Sequence, residues 1–301
     1  MSLLARYSRS SMTRFMLAKL EERQQQDYAG SKDHWYSIDI HKLQRPLQNK
    51  FVQSHLDEET ETFLLSCIEK SGWVFTQLFH SLVKLFLGFM VSATTINGLL
   101  DRGKMFVYSH EQFRNLTQID ESCTNKSMLD LGAGDGMVTK IAAPYFRNVY
   151  VTECSSTMQT RLQEKGFIVV DVNEWTNQKY DFITVLNLLD RVHNPAQLLS
   201  NIQASLNPDG TVLLAIVLPY SPWVEEGSTF VMPEEKLPIY GDTVETQINS
   251  LVLDVLEPAG FHVKAFTKLP YLCEGDLYSD YFLLYDYAFI LKSKSSRNEQ
   301  N

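Results

Sequence analysis

"SMLDLGAGDGMVTKIAAPYF", residues 127–146, decides the fold. An apolar run ends on Asp130 and Leu131, a Gly132-Ala133-Gly134-Asp135-Gly136 turn follows, and apolar residues then recur at helical spacing. A strand that turns through glycines into a helix lets backbone come very close to a ligand, because Gly132, Gly134 and Gly136 carry no Cβ to block the approach. A tight strand-to-helix turn wants the same glycines for purely structural reasons, so the turn alone says little about chemistry.

The pattern continues downstream. "NVYVTEC" (148–154), "FIVVDV" (167–172), "YDFITVLNL" (180–188) and "TVLLAIVLP" (211–219) read as strands, with helices at "STMQTRLQEKG" (156–166) and "PAQLLSNIQASL" (195–206) and a turn at "NPDG" (207–210). Strands alternating with helices specify a parallel sheet covered on both faces. After a helix at about Val244 to Leu256, "GFHVKAFTKL" (260–269) and "YFLLYDYAFILK" (281–292) follow without a helix-length insert, which predicts a final antiparallel pair.

Two acids narrow the ligand. Asp130 stands at the end of the first strand, and Glu153 closes the second, where a carboxylate is placed to take two ribose hydroxyls. A nicotinamide fingerprint is G-x-G-x-x-G, and here the third glycine comes one residue early. The D/E-x-G-x-G-x-G form resembles class I S-adenosylmethionine-dependent methyltransferases. The acids suit that cofactor, whose amino group and sulfonium are positive and which has no pyrophosphate. Asp130, Gly132, Gly134 and Glu153 are therefore the expected cofactor contacts. In "VVDVNEW" (169–175), Asp171 or Asn173 is placed to bond the adenine edge and Trp175 to pack on it, unless these are a helix cap and a core indole.

Bulk properties set limits. The 301 residues suffice for one large core plus an appendage. A net charge of −9 argues against a general nucleic-acid binder and suits a cationic cofactor or a basic, His-rich peptide. Four scattered cysteines without a CxxC pair, and seven histidines without a ligand cluster, give no sign of a metal site or a disulfide framework. Residues 1–32 read as a tail whose Arg6, Arg9, Arg14 and Lys19 are also compatible with a mitochondrial presequence. Residues 33–122 read as a helical extension packed on the core, 123–293 as the catalytic domain and 294–301 as a second tail. "SHLDEETETFLLSCIEK" (54–70) is a helix with acids in its first turn. Phe75 to Val91 is expected to be an amphipathic helix; Lys84 makes a membrane span costly, and surface contact with a membrane is the sharper alternative.

More of the chain carries a closer resemblance. "FVQSHLDEET" (51–60), "IEKSGW" (68–73), "TTINGLLDRGKMFVYS" (94–109), "LDLGAGDG" (129–136), "NEW" (173–175), "LNLLDR" (186–191), "VLPY" (217–220), "AGF" (259–261) and "LPYLCEGDLYSDY" (269–281) make the chain similar, from about His34 to Lys292, to the DREV (methyltransferase-like protein 9) family of protein-histidine methyltransferases. "LNLLDR" and "LPYLCEGD" are its specific marks. The resemblance implies a class I methyltransferase: a Rossmann-like seven-stranded sheet with the last strand antiparallel, behind an N-terminal helical extension. It also implies methylation of histidine Nπ (Nδ1), giving 1-methylhistidine, in His-x-His segments with small x. S-adenosylmethionine would be the donor and S-adenosylhomocysteine the product, with an endoplasmic reticulum or mitochondrial location. The N-terminal tail does not match, and a cytoplasmic location stays open.

For such a reaction a tautomer must be chosen: the Nπ lone pair faces the methyl and the proton sits on Nτ. A carboxylate accepting Nτ–H does this and stabilises the developing imidazolium. Asp190, just beyond the fourth strand, is expected in that role, with capping of the next helix and pairing to Arg191 as the structural alternative. Asn187 is placed to position the substrate, and Tyr281 and Tyr278 to hydrogen-bond or stack on the neighbouring histidine, unless they only pack the loop rim. Cys273 reads as a buried thiol and His193 as a loop residue. Two other functions remain open: methylation of small imidazole metabolites, and a silent cofactor-binding scaffold. Oligomeric state cannot be read from the sequence.

Overall fold

The computed structural model describes residues 31–71, 103–119, 125–227, 229–276 and 279–294. The expected Phe75–Val91 helix, Tyr278 and the basic N-terminus lie outside the described residues. The central strands form where apolar runs are continuous. They are β2 (Ser127–Leu131), β3 (Asn148–Thr152), β4 (Ile168–Val169), β5 (Tyr180–Leu186) and β6 (Leu206–Val217), and they pair in parallel. The last two strands, β9 (Phe261–Glu274) and β10 (Tyr281–Ser293), form the antiparallel pair expected, and β10 also runs antiparallel to β6.

Among the described residues the main sheet has eight strands in the order β1-β9-β10-β6-β5-β2-β3-β4. Seven match the expected Rossmann-like arrangement. The eighth, β1 (Met105–Phe106), pairs with Cys273 and Leu272 of β9; two residues carry no periodicity from which to predict a strand. The expected "NPDG" turn is also absorbed into the sheet. β6 begins at Leu206, and Asp209 turns the chain at φ 64° while the register against β5 shifts.

Side chains alternate across the strands, so each face has its own core. Leu129, Leu131, Ile183, Val185, Leu214 and Ile216 pack with α6 (Pro195–Ala204) and α7 (Val244–Ser250), which continues as a π-helical turn through Leu256. Met128, Phe182, Leu213 and Ala215 pack on the other face with α3 (His110–Thr117) and α2 (Glu58–Ser71). A capping box on Ser109 and Gln112 starts α3, and the Asp57 carboxylate takes the Thr60 N–H at the start of α2. The last turn of α2 docks on the β9–β10 connection: Lys70 pairs with Glu274 and the Ser71 hydroxyl donates to Asp280. Trp175 lies in the first core at 6% exposure, so the indole is core structure and not an adenine platform. Among the described residues no helix is long and apolar enough to cross a membrane.

Candidate active site

β2 has β3 on one side and β5 on the other, so chain direction across the sheet reverses there and the carboxyl ends of β2 and β5 open a crevice. The glycine turn forms one wall. Gly132, Gly134 and Gly136 have φ values of 75°, 57° and 75°, conformations open to glycine at little cost. The Gly132 and Ala133 N–H groups donate to the Thr152 carbonyl at 3.1 and 3.0 Å. A Cβ on Gly136 would stand 2.7 Å from Leu162 Cδ2 and 2.9 Å from Phe167 Cε2, so this glycine also serves packing. A Cβ on Gly134 would meet only Met105 Cε at 3.6 Å among the described residues, which leaves room at the turn.

The two expected acids meet at this turn and differ in role. Glu153 takes the Gly134 N–H at 3.0 Å and the Ser155 N–H at 2.9 Å, so two backbone donors aim its carboxylate. Asp130 lies deeper, accepting from the Thr139 hydroxyl at 2.5 Å and the Thr184 hydroxyl at 2.6 Å. Burial pushes Asp130 up to about 6 against those two hydrogen bonds, and the neighbouring Glu153 adds to the rise. Two carboxylates here disfavour a pyrophosphate, which wants N–H groups and positive charge. They suit a cationic ligand with ribose hydroxyls, so the residues present fit S-adenosylmethionine.

Asn173 belongs to an exposed turn after β4. Its backbone N–H and side-chain Nδ2 both bond Asp171 Oδ1, at 2.8 and 3.2 Å. The structure joins Asp171 and Asn173 in one Asx turn and puts neither in contact with Glu153. Tyr108 was not foreseen: its phenol is wholly buried near Asp130, its hydroxyl has no partner among the described residues, and burial and that carboxylate raise it well above the usual range.

The second wall is the exit of β5. Asn187 leaves the strand in the left-handed region, φ 54°, while its N–H still bonds the Ala215 carbonyl of β6 at 2.9 Å. Its Nδ2 donates to Asp286 Oδ2 at 2.7 Å, and its Oδ1 is buried without a partner among the described residues. Asp190 is 1% exposed; Arg191 holds its Oδ2, and its Oδ1 is likewise buried and unpartnered. Burial raises Asp190, and the Arg191 guanidinium works against that rise. Arg191 lies 4.2 Å over the Trp223 ring, and the Trp223 N–H donates to the Asp190 carbonyl at 3.0 Å. The expected pairing of Asp190 to Arg191 is thus present, yet it leaves one carboxylate oxygen unused.

Asp286 is the residue that the sequence reading missed. It is fully buried in β10, its Oδ1 has no partner among the described residues, and burial pushes it up to about 7, opposed by the Asn187 hydrogen bond. The available signal was an acid in the middle of the apolar run "YFLLYDYAFILK". Asn187, Asp190 and Asp286 therefore come together. Tyr281 instead opens β10 with its ring edge-on to Trp35 of the N-terminal extension, centroids 6.3 Å apart. Cys273 is largely buried and pushed up to about 11, which makes it a poor nucleophile.

Solved structures similar to this chain include a putative type 11 methyltransferase from Sulfolobus solfataricus, 15% identical over 64% of this chain and 95% of that one, TM-score 0.40. An S-adenosylmethionine-dependent methyltransferase from Clostridium acetobutylicum is 13% identical over 73% and 99%, TM-score 0.38. A putative methyltransferase from Bacillus halodurans is 13% identical over 57% and 94%, TM-score 0.41. The model of the DREV methyltransferase family matches residues 35–293, which take in the glycine turn, the β5 exit and Asp286 alike, and the chain belongs to that family.

Proposed function

We propose that the chain methylates the Nπ atom of histidine in His-x-His segments of proteins, with S-adenosylmethionine as donor. The observation that carries this reading is the buried, unpartnered Oδ1 of Asp190, whose other oxygen is already held by Arg191. A buried acceptor left unsatisfied costs about 1–3 kcal/mol, which an incoming N–H recovers. When bound, S-adenosylmethionine supplies an electrophilic methyl carbon on a sulfonium; Asp130, Gly132, Gly134, Glu153 and Asn173 are the residues that would hold it.

Asp190 accepts the Nτ–H of the target ring, which selects the tautomer with its lone pair on Nπ. Its charge stabilises the ring as that becomes an imidazolium, and the Nτ proton leaves to water after product release. Asn187 supplies a further acceptor beside the ring. Burial around Asp190 excludes water from the reacting nitrogen. The acidic chain suits basic, His-rich partners.

The test supplies purified protein and labelled S-adenosylmethionine with a His-Ala-His peptide, an Ala-Ala-His peptide and free imidazole dipeptides. Label is expected in the first alone, recovered as 1-methylhistidine, and Asp190→Asn should keep cofactor affinity while losing turnover at least a hundredfold. Label in the dipeptides alone would move the reading to small imidazole metabolites. Cofactor binding with no label anywhere would point to a scaffold.

A further inference from the structure

Among the described residues, three acceptor oxygens are buried without partners on facing elements: Asn187 Oδ1, Asp190 Oδ1 and Asp286 Oδ1. Two come from the β5 exit, which forms the second wall of the crevice. The third comes from β10, where Asp286 pairs with Val217 of β6 and Leu269 of β9, well inside the sheet. Interiors seldom leave such atoms unsatisfied. Three together, all acceptors, describe a receptor for N–H donors.

We infer that Asp286 is a positioning residue for the substrate: it holds the Asn187 side chain with Nδ2 turned inward, so that Asn187 Oδ1 and Asp190 Oδ1 are both presented to the N–H groups of the target histidine. The inference rests on the histidine reading above and adds a residue to it. In the 2.7 Å contact from Asn187 Nδ2 to Asp286 Oδ2 the carboxyl group accepts, most strongly when it is ionised. Protonation gives Asp286 an O–H that competes to donate to the Asn187 oxygen. The amide would then rotate, and an NH2 group would face the N–H of the substrate, which is repulsive.

The state of Asp286 is set by the groups around it. Asp190, on the β5 exit, raises its proton affinity and Arg191 lowers it, while burial is the largest influence. On β9, Tyr271 and Cys273 both feel the Asp286 charge, and burial pushes each far above neutrality, so neither titrates alongside it. The facing residue of β6 is Val217, which has no proton to exchange. The two carboxylates therefore titrate as a coupled pair, and protonation of Asp286 adds a step to the acid limb that the target histidine, with its own pKa near 6.5, gives to turnover on a histidine peptide.

The test uses the full chain and Asp286→Asn, which keeps size and removes the charge. The side-chain amide of Asn187, identified by its loss in Asn187→Ala, is followed by 15N NMR from pH 5.5 to 8.5. In the wild type its shift should follow a protonation with a midpoint near 7, and in Asp286→Asn that step should be gone. With a His-Ala-His peptide, Asp286→Asn should lower kcat at least tenfold, reduce the acid limb to the single step of the target histidine and leave cofactor Kd within about threefold. Asp286→Glu should recover part of the rate. An Asn187 signal that does not titrate, or that titrates equally in both proteins, overturns the inference, as does an unchanged pH profile in the variant. If the wild type labels no histidine peptide while the Asn187 titration behaves as expected, the histidine reading fails and the Asp286–Asn187 coupling stands.

Discussion

Asp130 shows how one residue can be costly for folding and useful for binding. Its pKa of about 6 lies above the usual 3.8 because burial disfavours the charge. Such a group holds its proton more tightly when folded, so its contribution to stability falls as pH rises from about 4 through 6 and stays low above that. The loss is on the order of 3 kcal/mol, from 1.36 kcal/mol per pH unit. A cation at the glycine turn would recover part of it. Asp130→Asn is therefore expected to make the ligand-free protein melt higher at pH 7.5, by several degrees, with little change at pH 4.5. The same variant should bind S-adenosylhomocysteine at least tenfold more weakly. Melting curves at the two pH values with calorimetric titration check both; a variant that melts lower at pH 7.5 would refute the electrostatic account. Asp130, Gly132, Gly134 and Glu153 could be read directly from sequence because a motif spaces them locally. Asp286 could not, because its partners lie some hundred residues away on another strand and nothing local marks an acid that a sheet will bring against them.

Elements divide along the same line. β2, β3, β5 and β6 were legible because buried parallel strands are written as continuous apolar runs, and α2 because its acidic first turn is local; α3 was not read. β1 and the strand portion of "NPDG" exist only through pairing with β9 and through the register shift beside β5. The hairpin of β7 (Val224–Glu226) and β8 (Thr229–Val231) was likewise unread, although it is strapped to the active-site loop. Trp223, at its entrance, bonds the Asp190 carbonyl, lies under Arg191 and packs edge-on to Phe230, centroids 4.7 Å apart. His193 Nε2 reaches Glu226 at 3.0 Å from the loop side. The hairpin thus holds Arg191 against Asp190 from outside the sheet. A cation–π contact of this kind is worth about 1–2 kcal/mol. Trp223→Ala should then lower turnover about five- to tenfold through loss of Asp190 alignment, with cofactor affinity unchanged. Equal losses of cofactor affinity and turnover would show that the hairpin supports the whole crevice instead.

At the scale of the molecule, the active crevice is assembled from both directions of the chain around β2, with acids contributed by β2, β3, the β5 exit and β10. The net charge of the chain, −9, has the same sign. An acidic field favours the approach of positively charged chains and is weakened by salt, since the screening length falls from about 10 Å at 0.1 M to far less at 1 M. Exposed charges act on encounter, whereas Asp190 and Asp286 are buried and little screened, so binding and chemistry should respond differently to ionic strength. With a lysine-flanked His-Ala-His peptide, kcat/KM is expected to fall about three- to tenfold between 50 and 400 mM NaCl, almost entirely through KM. With a glutamate-flanked peptide of the same core it should start lower and change little or rise. A kcat that falls in parallel for both peptides would mean that salt reaches the buried carboxylates, and the separation of an acidic steering surface from a sealed acceptor cluster would have to be abandoned.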